Sequence, residues 1–210
     1  MTKNETVFYR VGKRLFDLVF STMVIVLLTL PVAIVCMLIS LESPGAPVYS
    51  QKRVGQGGKL IRVFKLRSMV ADADNVGKYL NSEQLKQWEK ERKVDDDPRI
   101  TRVGKFIRKT SLDELPQFLN VIKGDMSVVG PRPVTEAELA WFGGNAEEYL
   151  SVPMGITGLW QATSRNDATF ESGERQRIEL EYVRNASFSM DTKCFLGTFG
   201  AMFGKKRTGR

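Results

Sequence analysis

The sequence reads LVFSTMVIVLLTLPVAIVCMLISL from Leu18 to Leu41, a stretch of 24 residues without an Asp, Glu, Lys or Arg. A helix of this length measures ~36 Å at ~1.5 Å per residue, enough to cross a hydrocarbon layer of ~30 Å. The stretch is longer than the apolar part of a cleavable signal peptide, and no clean cleavage site of small residues follows it. The sequence therefore predicts a protein that works at a membrane surface.

Pro31 lies near the middle of this stretch, where its missing N–H is expected to kink or break a helix. Basic residues flank both ends, among them Arg14 before the stretch and Lys52 and Arg53 after it. Because positively charged flanks stay cytoplasmic, both ends favour the same side of the membrane. We predict a re-entrant helix that turns back at Pro31, with the Thr29 hydroxyl as a partner for freed backbone groups. A kinked single span is the alternative.

The composition narrows the classes of function. The 210 residues suffice for one domain beside the membrane segment, and the formal net charge is +7. A basic balance suits an anionic lipid surface or a phosphate-bearing substrate, whereas no motif of a known nucleic-acid-binding module occurs. We therefore expect no nucleic-acid partner. The chain has no histidine, so proton transfer falls to carboxylates, lysine, tyrosine or water.

The pattern along the chain predicts a helix-rich α/β fold with a small sheet or hairpin. Residues 1–12 are interpreted as a polar tail, residues 13–43 as the membrane helix and residues 44–210 as a domain at the membrane surface. Residues 48–66 predict a hairpin. The apolar residues 195–203 favour a helix on the membrane surface or, alternatively, one docked on the core. Further helices are predicted over residues 100–109, 114–123, 135–141, 146–149 and 171–184.

Two adjacent carboxylates, Asp113 and Glu114, stand at the start of a predicted helix just after Arg108. A capping box between Ser111 and Glu114 would give the pair a structural role, although it would place Pro116 beyond the first turn. An ionised carboxylate at this position is also able to attack a phosphorus centre, and its neighbour to hold Mg²⁺. Both interpretations stay open on these residues alone.

Basic residues in three segments are candidate phosphate ligands. Arg132 stands between two prolines in the segment 130–133, which orders the backbone around its guanidinium at a low entropic cost. Lys65 and Arg67 lie two residues apart at a strand end and are predicted to share one face. Arg165 lies in a polar turn suited to phosphate or ribose. The alternatives are a rigid surface turn and a solvated strand face.

Taken in order, short motifs of this chain resemble those of the bacterial sugar transferase family, the monotopic phosphoglycosyl transferases. The resemblance covers the chain from about residue 13 to its end, and the shared order of the motifs makes it specific. The motifs are KRLFD at 13–17, Pro31, QKRVG at 51–55, FKLRSM at 64–69, DPR at 97–99, SLDELPQ at 111–117, LNV at 119–121, KGDMS at 123–127, GPRP at 130–133, GITGLWQ at 155–161 and Asp191.

The resemblance implies a monotopic protein in which a re-entrant helix broken at Pro31 anchors a catalytic domain, residues 44–210, on the cytoplasmic face of the bacterial inner membrane. The implied reaction moves a sugar 1-phosphate from a nucleotide diphospho-sugar, usually a UDP-sugar, to polyprenyl (undecaprenyl) phosphate. UMP leaves, and the product begins an exopolysaccharide, O-antigen, capsule or other glycoconjugate. The chain resembles the minimal catalytic form of the family. A homodimer and downstream glycosyltransferases are further candidate partners.

Matching motifs carry the family's site residues onto this chain. Asp113 is the implied nucleophile, which forms a covalent sugar-phosphoryl intermediate, and Glu114 binds Mg²⁺ or assists proton handling. The implied Mg²⁺ ligands are both of these carboxylates. The implied substrate- and phosphate-binding residues are Lys65, Arg67, Arg108, Arg132 and Arg165.

Two other functions remain as alternatives to the covalent route. One is direct transfer in a ternary complex, and the other is a non-catalytic scaffold, which the intact Asp113–Glu114 pair disfavours. The sequence departs from the usual family pattern at Met154, Ala162 and Ser164, in the segment expected to contact the nucleotide or sugar. The end of the chain resembles members that use galactose.

Overall fold

The computed structural model describes residues 6–91, 94–164 and 168–203. These residues form a long N-terminal helix, shorter helices and two small sheets, which confirms the helix-rich α/β class. The helices are α1 (Val7–Glu42), α2 (Val76–Tyr79), α3 (Ser82–Glu91), α4 (Arg102–Lys109), α5 (Gln117–Lys123), α6 (Glu136–Leu139), α7 (Ala146–Tyr149), α8 (Leu159–Thr163), α9 (Glu174–Arg184) and α10 (Phe188–Phe203). The strands are β1 (Val48–Val54), β2 (Leu60–Leu66), β3 (Ser127–Val129) and β4 (Gly155–Thr157).

The predicted hairpin is confirmed, with β1 and β2 antiparallel and Tyr49 opposite Lys65. The buried Asn120 of α5 binds the outer edge of β2 as a third strand would. Its Oδ1 accepts the Phe64 N–H at 3.0 Å, and its Nδ2 donates to the Arg62 carbonyl at 2.7 Å. Because these bonds satisfy the backbone just before Lys65, they fix where that side chain starts.

Strands β3 and β4 are parallel and approach each other very closely at their ends. A Cβ added to Gly155 would lie 2.1 Å from the backbone nitrogen of Gly130, so only glycine fits there. The Gly130 N–H donates to the Thr157 carbonyl and the Gly155 N–H to the Pro131 carbonyl, both at 2.8 Å. This pairing holds the start of the GPRP segment rigidly against β4.

The first half of α1 docks on the domain through one buried stripe. The stripe repeats every fourth residue and consists of Tyr9, Lys13, Asp17 and Ser21. Asp191 of α10 accepts hydrogen bonds from the Tyr9 hydroxyl at 2.9 Å and from the Lys13 ammonium at 2.7 Å. The Asp17 carboxylate accepts the Val128 N–H at 2.9 Å, which ties α1 to β3.

The far end of α1 also binds the domain. The Glu42 carboxylate accepts the N–H groups of Arg102 at 2.7 Å and Val103 at 3.0 Å, which stabilises the start of α4. Ile39 is buried in a cluster with Leu66 and Ile107. Both ends of this one helix therefore contact the same domain.

The helix is not interrupted at Pro31, because α1 stays helical from Val7 to Glu42; the kink that was expected there as the other outcome stays a prediction. Proline removes one donor from the ladder, whereas the bonds on either side of it can persist. The Thr29 hydroxyl donates to the Ile25 carbonyl at 2.6 Å, but the carbonyl that loses its partner at Pro31 belongs to Leu27. The helix also begins earlier than the predicted residue 13, since Thr6 caps it by accepting the Tyr9 N–H.

The middle of α1 leaves its apolar side chains uncovered by the domain. Val26, Leu27 and Leu30 are each about two-thirds exposed or more, at 70%, 66% and 70%. Only 6% of the most apolar 18-residue stretch of this helix is buried within the protein. A core helix of a soluble domain would be mostly buried, so the length, composition and exposure of α1 together suit a membrane environment.

The C-terminal helix α10 packs against α8 and α1, as the docked alternative predicted. Cys194 is fully buried in the core, and the Phe195 ring meets Phe16 and Phe20 of α1 edge-on. Leu196 on another side of the helix is 62% exposed. Docking thus accounts for one side of α10.

Replacing Asp191 with Asn should loosen α1 from the domain. The carboxylate accepts three hydrogen bonds, from Tyr9, Lys13 and Tyr182, and the change leaves a largely buried ammonium unpaired. We expect the free energy of unfolding to fall by about 3 kcal/mol, measured by thermal unfolding in detergent. Asp72→Asn, at an exposed ion pair with Lys78, is the control and should change little. Equal melting of Asp191→Asn and wild type would contradict this role.

Candidate active site

Asp113 and Glu114 lie in a short 3₁₀ turn, Leu112–Glu114, between α4 and α5. The predicted capping box is wrong, because Ser111 adopts a left-handed conformation with φ of 56° and its side chain caps no helix. Leu112 packs on the cluster of Ile39, Leu66 and Ile107. This packing anchors the turn and accounts for the strained backbone before it.

The predicted helix from residue 114 starts only at Gln117, after Pro116. Pro116 therefore stands before the helix, where its missing N–H costs nothing. A true capping box occurs at α6 instead, between Thr135 and Glu138. Glu114 is thus not used as a cap and faces other partners.

Glu114 lies between Lys65 and Arg132, two cations that were predicted from the sequence to bind phosphate. Its Oε1 is 3.2 Å from the Lys65 Nζ and 3.4 Å from a terminal nitrogen of Arg132. The side chains of Lys65 and Glu114 are only 13% and 12% exposed. Burial lowers the pKa of the Lys65 ammonium, although the adjacent Glu114 carboxylate opposes that shift. The structure therefore joins Glu114, Lys65 and Arg132 in one partly buried charged cluster beside Asp113.

Arg132 is positioned by its backbone as well as by its side chain. Its carbonyl accepts the hydroxyl of the buried Tyr149, and its N–H donates to the Glu179 carboxylate at 3.4 Å. The flanking prolines fix φ on both sides of these contacts. The guanidinium thus starts from a rigid backbone and remains partly exposed, at 25%, which suits a pre-ordered phosphate ligand.

Arg108 reaches the same region from α4. Its Nε donates to the Ser68 hydroxyl at 2.8 Å, and its two terminal nitrogens form no hydrogen bond with the described residues. The Tyr49 phenol lies close to both Arg108 and Asp113, and burial, reinforced by the Asp113 charge, raises its pKa. Tyr49 was missed in the sequence, yet the hairpin register that places it opposite Lys65 could have indicated it.

Arg67 does not join this cluster. Its guanidinium is buried and donates to the Ser43 hydroxyl and to the carbonyls of Ile39, Ser43, Gly45 and Ala46. The prediction that it lines the site with Lys65 is therefore corrected. Strand β2 ends at Leu66, so alternation no longer decides where the next side chain points. Arg67 instead binds the end of α1 and the segment 43–46 that follows it.

Arg165 lies outside the described residues, so its role stays a prediction. Within the described ranges, no three His, Cys, Asp or Glu side chains form a group suited to a metal ion. Mg²⁺ is commonly held by one or two carboxylates together with substrate phosphates, a donor set that the Asp113–Glu114 pair fits.

Glu179 is a fully buried carboxylate behind Arg132 that was not predicted from the sequence. Its Oε1 accepts the Arg132 N–H, whereas its Oε2 has no hydrogen-bond partner among the described residues. Burial raises the pKa of Glu179 to about 7, although the nearby Arg175 opposes that shift. The spacing to Tyr182 and Val183, both buried on α9, could have indicated an inward-facing acid.

Glu179 should make folding stability depend on pH. Between its ordinary pKa of 4.5 and about 7, the folded state holds a proton that the unfolded state has released. The contribution of Glu179 to the free energy of unfolding therefore falls as pH rises through that window, by up to ~1.4 kcal/mol per pH unit. Thermal unfolding from pH 5 to 8 should show a flatter profile for Glu179→Gln than for wild type.

Glu181→Gln is the matched control for this comparison, because Glu181 lies on the same helix and its side chain is 43% exposed. It should keep the wild-type slope. Parallel pH profiles for wild type and Glu179→Gln would contradict the assignment to Glu179.

Comparison with known proteins finds sugar transferases. A family model described as "Bacterial sugar transferase" matches residues 8–205. A "UDP-galactose-lipid carrier transferase" of Erwinia amylovora is 42% identical over 200 residues, which cover 94% of this chain and 41% of that protein. An "Undecaprenyl-phosphate galactose phosphotransferase" of Salmonella typhimurium is 44% identical over 176 residues, covering 82% and 36%.

A shorter relative matches along most of its own length. The "Exopolysaccharide production protein ExoY" of Sinorhizobium fredii is 37% identical over 195 residues, which cover 91% of this chain and 85% of that protein. This chain thus spans about two-fifths of the two longer relatives and most of the shorter one.

Proposed function

The chain belongs to the bacterial sugar transferase family, and on that premise we propose that it transfers a sugar 1-phosphate from a UDP-sugar to undecaprenyl phosphate. The names of its relatives support this reaction, since they include lipid-carrier and undecaprenyl-phosphate sugar transferases. The product, an undecaprenyl diphospho-sugar, would begin a surface polysaccharide such as an exopolysaccharide.

The observation that carries the proposal is the charged cluster at the 3₁₀ turn. Asp113 and Glu114 follow each other on that turn, and Lys65 and Arg132 approach Glu114 within 3.4 Å. A diphosphate needs cations to bind it, and phosphoryl transfer needs a nucleophile. This cluster supplies both kinds of group without a histidine.

The proposed reaction has two displacements at one phosphorus atom. The Asp113 carboxylate attacks the phosphorus that bears the sugar, and the bond to the bridging diphosphate oxygen breaks, so that UMP leaves with the electron pair. An oxygen of undecaprenyl phosphate then attacks the same phosphorus and the carboxylate leaves. Arg132, Lys65 and Arg108 would bind the phosphate oxygens and offset their charge in both steps.

Mg²⁺ belongs to the proposal as a cofactor, held by Asp113 and Glu114 together with phosphate oxygens of the donor. When bound, it would neutralise charge on the diphosphate. Lys65 and Arg132 already contact the Glu114 carboxylate and would hold it in place beside Asp113.

We also propose that α1 is re-entrant and that the domain lies on the cytoplasmic face. Both ends of α1 contact one domain, through Lys13 with Asp191 and through Glu42 with α4. If the helix spanned the membrane, its ends would lie on opposite sides, ~30 Å apart. A one-sided arrangement lets the domain bind both ends.

Cysteine labelling tests this topology. Val11→Cys and Pro44→Cys, each in a chain without Cys36, place thiols at exposed positions near the two ends of the apolar stretch. A membrane-impermeant maleimide should label both from the cytoplasmic side. Labelling of the two positions from opposite sides would exclude the re-entrant arrangement.

The reaction is tested with purified full-length protein, Mg²⁺, undecaprenyl phosphate and a panel of UDP-sugars. We propose UDP-galactose as the first donor, because two relatives carry galactose in their names, with UDP-glucose and UDP-N-acetylgalactosamine beside it. UMP release that depends on one donor would support the function. Folded protein that releases no UMP from any of these donors would refute the reaction as proposed.

A further inference from the structure

A polar cavity lies at a distance from the proposed reaction site. It measures about 430 Å³ and opens between the N-terminal part of α1, the turn after β1 and the turn after α5. Lys59, at this end of β2, is six residues from Lys65 at the other end, which corresponds to ~20 Å along a strand. The cavity is therefore separate from the cluster around Glu114.

Cations dominate the wall of this cavity. Four of its side chains are basic and two are carboxylates, so it carries a formal excess of two positive charges. The basic residues are Arg10, Lys13, Arg14 and Lys59, and the carboxylates are Asp17 and Asp125. An anion is the ligand that this balance favours.

Most of these cations already have partners within the protein. Lys13 pairs with Asp191 at 2.7 Å, and Lys59 pairs with Asp125 at 3.2 Å. Arg14 donates to two carbonyls at the end of α5. The Arg10 guanidinium, in contrast, forms no hydrogen bond or ion pair within the part of the chain that the structure describes. Arg10 is thus available to bind a ligand. The other basic side chains of the cavity wall are held in place by their own partners.

The position of the cavity along α1 indicates which kind of anion it meets. Asp17 directly precedes Leu18, where the uncharged stretch begins, so the cavity lies within about two turns of the apolar helix. Lipid phosphates occupy this depth when the apolar stretch lies among acyl chains. Ile61 and Met126 also line the wall, and their apolar side chains suit the start of a lipid's acyl chains better than a free ion.

We propose that this cavity binds the headgroup of an anionic glycerophospholipid of the phosphatidylglycerol type. The inference rests on the membrane association proposed above but not on the transferase reaction. Arg10 and Lys59 bind the lipid phosphate, and Ile61 and Met126 lie on the side of the acyl chains. A resident lipid at this place would hold the start of α1 at the level of the headgroups.

Native mass spectrometry of the full chain in detergent tests the proposal, with short-chain phosphatidylglycerol and phosphatidylcholine added stepwise. We expect one phosphatidylglycerol per chain, and weaker binding of the zwitterionic lipid. Arg10→Ala should weaken binding about fivefold, and adding Lys59→Ala should weaken it by about fivefold again. Lys86→Ala, at an exposed lysine on α3, is the control and should bind like wild type.

Three results would overturn the proposal. The first is equal binding of the two lipids, and the second is unchanged binding by the double variant. The third is competition by glycerol 3-phosphate as strong as that of the lipid, which would make this a site for soluble phosphate esters. UMP release, assayed in parallel, should be unchanged in Arg10→Ala. If the wild-type protein releases no UMP, the transferase reaction is refuted, whereas the result for lipid binding is unaffected.

Discussion

Replacing Asp113 with Asn should lower UMP release by at least ~10³-fold, because an amide oxygen is a much weaker nucleophile than a carboxylate. The change is nearly isosteric, and Leu112 packs the 3₁₀ turn against the cluster of Ile39, Leu66 and Ile107, so the fold should persist. The measurement is UMP formation from the preferred UDP-sugar with undecaprenyl phosphate and Mg²⁺. Asp95→Asn, at an exposed acid outside the site, is the control and should keep wild-type activity.

The same variant distinguishes covalent from direct transfer. With a donor labelled in its sugar and no acceptor, wild type should retain label on the protein and release a matching burst of UMP. Asp113→Asn should do neither. An active wild type that never carries label would favour direct transfer in a ternary complex, and an active Asp113→Asn would exclude Asp113 as the nucleophile.

Arg132→Ala should give the next largest loss, about 10²–10³-fold in kcat/KM, because it removes a pre-ordered donor from the charge that develops on the phosphate. Arg132→Lys keeps the charge but loses the planar fork and should lie between the two. Free guanidinium should partly restore Arg132→Ala and leave Asp113→Asn inactive. These comparisons use initial rates at several donor concentrations.

Arg62→Ala is the matched control, since Arg62 is exposed on β2. It should keep wild-type kcat/KM. Thermal unfolding of each variant separates lost activity from lost folding, which matters because Arg132 also contacts Glu114. Activity of Arg132→Ala within about threefold of wild type, a difference well under 1.4 kcal/mol, would mean that Arg132 only supports Glu114.

Local patterns predicted part of the fold well. The hairpin followed from alternating residue types around a glycine-rich turn, and the structure pairs Val48 with Leu66 and Tyr49 with Lys65. The rigid GPRP segment followed from its prolines. Each of these features depends on residues close in sequence, so the sequence carries enough information to predict them.

Other predictions failed where distant residues compete with a local preference. Ser111 has the side chain of a helix cap, but the packing of Leu112 against α1 and β2 leaves it in a left-handed turn. Arg67 was expected to share a face with Lys65, yet five acceptors around residues 39–46 bind its guanidinium. Sequence spacing does not reveal either competitor.

The sequence by itself determined that a long uncharged helix precedes a basic domain and that two adjacent acids follow Arg108. Composition and spacing are properties of the sequence itself, so they can be determined without knowing how the chain packs. The tertiary structure decided which cations meet Glu114: Lys65 comes from 49 residues away and Arg132 from 18. It also brought Asp191 to Tyr9, across 182 residues. Such pairs form only when the whole chain packs, because burial rather than local preference selects them.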